Sequence, residues 1–87
     1  MHPELYSRVV LTRAIPAAGL QAGDTAVYIE YLPVPDGEAG AILEVFNAIG
    51  ETIAVVTVPI SAIEPPRANY IPTVRVWDDV PAAGVGG

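Results

Sequence analysis

Ala41-Ile-Leu-Glu-Val-Phe46 and Thr52-Ile-Ala-Val-Val-Thr-Val58, joined through Asn47-Ala-Ile-Gly50, decide the fold. Two runs of β-branched and apolar residues flank a short link closing on glycine, which is the pattern of a β-hairpin. Side chains alternate along a strand, so Leu43 and Val45 point one way while Ile42, Glu44 and Phe46 point the other. The second run divides into Ile53, Val55 and Thr57 against Ala54, Val56 and Val58. Apolar residues stand on both sides, so the hairpin is expected to be bent or covered on both faces.

Working outward, Leu5 to Thr12 and Thr25 to Leu32 have the same character, and Thr73 to Trp77 is a shorter fifth run. Eight glycines and nine prolines cut the rest into pieces too short for an amphipathic helix. Short strands at close spacing predict an all-β fold, a sandwich or a barrel. The expected core is Val9, Leu11, Val27, Ile29, Leu43, Val45, Ile53, Val55 and Ile63. Between the first two strands, Ala14 to Asp24 is too long for a tight turn. Gly19 and Gly23 allow it left-handed backbone, and Leu20 could tuck it onto the core. A long ordered arm at this place occurs in SH3-like barrels. Asp36-Gly37 marks a turn, and Pro59-Ile-Ser-Ala-Ile63 reads as one helical turn near residues 60–63 with Ser61 as its cap. The expectation is therefore one domain over residues 1–77, a small SH3-like five-stranded barrel. Residues 65–77 could add an edge strand to it. Residues 78–87, small and acidic-headed, are expected to form a loose, disordered tail.

Val9-Val-Leu-Thr-Arg-Ala-Ile-Pro16, Gly19-Leu-Gln-Ala-Gly-Asp24, Glu44-Val-Phe-Asn47, Gly50-Glu-Thr-Ile-Ala-Val-Val-Thr-Val-Pro59 and Ile63-Glu-Pro65 follow one another in an order that resembles the bacterial domain-of-unknown-function family 4926. The resemblance covers about residues 5–65. It implies a small SH3-like barrel and no reaction. The chain departs from the family pattern at Ala26, where glycine usually opens the second strand, and in the segment Asn69 to Trp77, beyond the family's usual end.

The chain has 87 residues, room for a single domain, and carries 10 acidic side chains against four arginines, for a net charge of −6. Such a balance disfavours nucleic acid and anionic membrane surfaces, whose binding rests on cationic side chains. Cysteine is absent, so there is no disulfide, thiol nucleophile or cysteine-held zinc. Lysine is absent too, which removes Schiff-base chemistry. The one histidine, His2, sits at the start, far from a credible triad with Ser7 or Ser61. No stretch is apolar for the roughly 18–20 residues of a spanning helix, and residues 1–8 lack the form of a secretory signal. A cytoplasmic address is expected.

Glu30, Glu44 and Glu51 could approach one another across strands two to four, but three solvated glutamates on outer faces is the simpler reading. Asp78-Asp79 lack the ligand count of a cation site, and Gly19 with Gly23 lacks the following helix of a phosphate cradle. Catalytic residues, cofactor and metal are thus expected to be absent, and no small-molecule substrate is identified. The aromatic set is larger than so small a core needs. Tyr28, Tyr31, Tyr70 and Trp77 are the expected partner-binding residues, as tyrosine and tryptophan are enriched where binding energy concentrates. The chain is expected to be a non-enzymatic protein-interaction module, with a protein partner or self-association. An immunity or antitoxin-type protein covering a basic toxin is one specific form of it. A nucleic-acid or ribosome-associated barrel and an accessory subunit of an enzyme are the alternatives.

Overall fold

In the computed structural model, which describes residues 3–72, 74 and 76, five strands form one antiparallel sheet. They are β1 (Ser7–Leu11), β2 (Thr25–Leu32), β3 (Gly40–Phe46), β4 (Thr52–Pro59) and β5 (Ile63–Glu64), in the spatial order β4-β3-β2-β1-β5. The all-β class is as the sequence predicts. Among the described residues the sheet is open: β4 and β5 are its edges, and β5 pairs with the end of β1, through Val10–Glu64 and Leu11–Ile63. Among the described residues 65–72, 74 and 76 there is no added strand. The fifth strand of the sheet is Ile63–Glu64, too short to show any periodicity, and the expected run Thr73 to Trp77 falls in part outside the described residues. Trp77 and the tail at 78–87 lie outside the described residues.

The core occupies one face. Register stacks Val9 opposite Ala26, Tyr28 opposite Leu43, and Leu43, Ala41 and Val45 opposite Val56, Val58 and Ala54. Leu11 meets Ile63 beside them. Val9, Leu11, Tyr28, Leu43 and Val58 are each almost wholly removed from water. One open sheet cannot bury them without a lid, and the β1–β2 arm supplies it. Pro16–Ala18 forms a 3-10 turn that reaches β4, and Leu20, 2% exposed, is driven into the core as its anchor. Reciprocal backbone bonds between Ile15 and Leu20 (2.9 and 3.2 Å) fix the loop around that anchor. The left-handed Gly19 (φ 73°) ends the turn at a conformation that costs glycine least.

Two of the expected core positions face the other way: Val27 is half-buried and Val55 is 59% exposed, while Ile29 sits half-buried at the register slip of β2. Their places inside are taken by Ala26, Tyr28 and Val56. Alternation groups residues by face but does not say which face is inside when both are apolar. The pairing with β1 settles it, because Val9 and Leu11 carry the arm and the 3-10 turn on their side. The register slips between Tyr28 and Glu30 on β2 and between Val45 and Phe46 on β3, and both slips increase local twist.

A second 3-10 turn, Ile60–Ala62, links β4 to β5 where the sequence places a helical turn. Ser61 does not cap it. The Ser61 N–H instead donates to a Glu38 carboxylate oxygen at 2.7 Å, from the loop between β2 and β3. Thr12 N–H donates to the Ala62 carbonyl (2.8 Å), and the Arg13 guanidinium donates to the Ser61 hydroxyl (3.2 Å).

Candidate interaction surface

The outer face of the sheet is a mixed surface built by the same alternation that fills the core. One cross-strand row runs Arg8, Val27, Glu44, Val55, and the next runs Glu30, Ile42, Thr57. Phe46 (39% exposed) stands at the end of β3, where Thr52 faces it. The Thr52 hydroxyl donates to Glu44 at 2.7 Å. In the β3–β4 turn, Asn47 accepts at its side-chain oxygen from the Ile49 and Glu51 N–H groups (3.1 and 2.9 Å) and donates to the Glu51 carboxylate (2.9 Å).

The chain after β5 lies against the β1 end of this face. Glu64 pairs with Arg67 at 3.1 Å and accepts a short hydrogen bond from the Tyr70 hydroxyl, while the Arg67 guanidinium sits 5.7 Å from the Tyr70 ring centre. The Tyr70 hydroxyl, with Arg67 beside it, holds the Glu64 carboxyl below its ordinary value, and the same bond raises the Tyr70 phenol. This clasp borders a groove of about 820 Å³ floored by Val10 and walled by Tyr70, Ile71 and Pro72. A smaller hollow of about 590 Å³ continues past Arg8 and Pro72 to Val27 and Phe46.

Among the described residues, the expected partner-binding aromatics Tyr28, Tyr31 and Tyr70 do not share one exposed patch. Tyr28 is 1% exposed and belongs to the core; burial and the neighbouring Tyr31 push its phenol up, and it offers no ring to a partner. Its place opposite Leu43 is the physical reason: the inner face needs one large side chain between the small Ala26 and Ala41. Tyr31, 40% exposed, lies toward the far end of β2. Tyr70 lines the β1 groove, donates its hydroxyl to Glu64 and presents its ring to the Arg67 guanidinium. Trp77 lies outside the described residues. Sequence reasoning missed Phe46 and Val55 as surface residues; their aromatic or β-branched character reads as core whichever way they point.

Glu30 and Glu44 share the outer face from neighbouring strands, and Glu44 and Glu51 are each engaged by a local donor. Among the described residues no three carboxylate or imidazole groups converge in a way that could hold a metal ion, and no helix is long and apolar enough to cross a membrane. Compared with known proteins, the chain matches no family model, no curated protein and no solved structure.

Proposed function

We propose that this chain is a non-enzymatic protein-interaction module on an SH3-like scaffold, of the kind that the resemblance to family 4926 implies, acting in the cytoplasm. The observation that carries it is the outer face. Val55 and Phe46 (59 and 39% exposed) leave apolar surface on it beside Glu44, and the exposed Ile49 (79%) follows in the adjoining turn with Glu51. An apolar centre with a polar rim is the usual anatomy of a protein interface. The strand order, the long β1–β2 arm and the 3-10 turn before β5 support the SH3-like reading. The acidic balance favours a basic protein partner, because opposite charges speed encounter. An immunity-type protein that covers a basic toxin is the specific form that this charge suits.

The test is site-specific photocrosslinking in cells at Phe46, with Glu4 as a control position on another part of the chain. A discrete protein adduct from Phe46, absent from Glu4, is expected. Adducts of equal pattern from both positions, or none from Phe46, overturn the reading. For the immunity-type form, co-expression with the product of an adjacent gene is expected to relieve that product's toxicity.

A further inference from the structure

Edge strands normally carry a device against pairing with other chains: a lysine, an internal proline, a charge or a bulge. β4, Thr52-Ile-Ala-Val-Val-Thr-Val-Pro59, has no charged residue, and its one proline is the last position. Its irregularity lies at the Thr52 end, so the stretch from Ala54 to Val58 is regular. The direction of its free backbone groups follows from one hydrogen bond. The Ile60 N–H donates to the Ala39 carbonyl at 2.9 Å, in register with the Gly40–Pro59 and Ala41–Val58 pairs. Antiparallel pairs alternate between bonded and non-bonded types. Val58, Val56 and Ala54 therefore bond inward to β3, and Val55 and Thr57 turn their N–H and C=O groups outward. Pro59, which has no N–H, falls at an outward position, as the chemistry of an edge requires.

The charge around that edge has one sign. From Ala14 to Pro66 every charged side chain is a carboxylate, so β2, β3, β4 and their connections contain no cation. Glu44 lies opposite Val55 and Glu51 immediately precedes the strand. The described arginines, Arg8, Arg13 and Arg67, belong to β1, the start of its following arm, and the segment after β5. A second copy pairing here would bring two acidic edges together, so the edge is matched to an occupant of opposite charge.

We propose that β4 is a β-augmentation site, taking as a sixth strand an extended segment of a partner protein that alternates Lys or Arg with β-branched residues. Main-chain bonds to Val55 and Thr57 supply the pairing, and the cationic positions face Glu44 and Glu51. The proposal rests on the interaction-module reading and names the docking mode and the chemistry of the partner.

The test uses the full chain, isotope-labelled, with an alternating Lys-Val decapeptide as probe and the Glu-Val peptide as control. The expected result is saturable binding of the Lys-Val peptide alone, with the Val55 and Thr57 amide signals shifting most. Thr57→Pro deletes one outward N–H and no ladder bond, so it should stay folded and weaken binding at least tenfold. Glu44→Gln should weaken binding severalfold and steepen its loss with salt less than in the wild type. Absence of binding, largest shifts on β1 or β5, or unchanged affinity in a folded Thr57→Pro overturns the proposal. So does a dimeric mass of the chain alone that Thr57→Pro abolishes, which assigns the edge to a second copy. If the Phe46 crosslink persists in Thr57→Pro, the interaction reading stands while the edge site falls.

Discussion

Tyr28 shows how a single side chain takes the opposite role from the one its type suggests. It fills the centre of the inner face between Ala26 and Ala41, with its phenol raised by desolvation. Tyr28→Ala removes the largest fully buried side chain and should cost about 3–5 kcal/mol, read as a lower urea midpoint with little change in slope. Titration gives an independent check. An acid whose folded value is raised contributes stability in full below its unfolded value, here 10.0, and loses it as pH rises from there through the folded value. The wild type should therefore unfold progressively on the alkaline side of that point, and Tyr28→Phe should lose less of its own stability over the same range. Equal alkaline losses in the two proteins would show that Tyr28 does not titrate on unfolding. The sequence concealed this role because tyrosine fits a core and an interface equally well; only the pairing of Tyr28 with Leu43 decides between them.

The turn between β4 and β5 belongs to the element scale, because Glu38 caps it from a different loop. The Ser61 hydroxyl and then its N–H hold the Glu38 carboxyl below the ordinary 4.5, with the Arg13 charge adding to them. A depressed carboxyl contributes stability above its unfolded value and loses it as pH falls through the folded one. Glu38→Gln should be less stable than the wild type at neutral pH by a margin that closes on acidification below 4.5, as followed by thermal unfolding from pH 7 to 3. A constant margin would mean that the cap works without its charge. This cap also marks where sequence reading stops. The second, third and fourth strands were legible almost to the residue, because runs of β-branched side chains between prolines and glycines have few other conformations. The helical turn was legible from Pro59 and its small neighbours. Its partner at Glu38 was not, since nothing local connects the two, and β5 was not, since Ile63 and Glu64 form a strand only because β1 is there to pair with them. The outer face was half legible: alternation sorted Ile42, Glu44 and Phe46 together but left open which set the arm would cover.

For the whole molecule, the distribution of charge matters more than its total. The sheet's β2–β3–β4 half holds only carboxylates, and among the described residues the ion pair is Arg67–Glu64 at the opposite edge. The net charge of −6 is therefore a repulsion concentrated on one side rather than a set of balanced pairs. Compacting such a surface opposes folding. Its range is about 30 Å at 0.01 M salt and about 8 Å at 0.15 M, so the first condition couples carboxylates across the sheet and the second confines them to near neighbours. The free chain should melt several degrees higher in 0.15 M than in 0.01 M sodium chloride at pH 7, as read by circular dichroism at fixed protein concentration. Glu44→Gln, which removes a carboxylate from the centre of the repulsive face, should show a smaller gain and a higher starting point. The opposite trend, melting lowered by salt, would mean that the Glu64 clasp and the Glu38 cap outweigh the repulsion. The two results also separate two designs. A chain optimised to stand alone has little reason to keep a cation-free half beside a neutral, regular edge, whereas one completed by a basic partner gains from both: salt should then stabilise the free chain and weaken its complex.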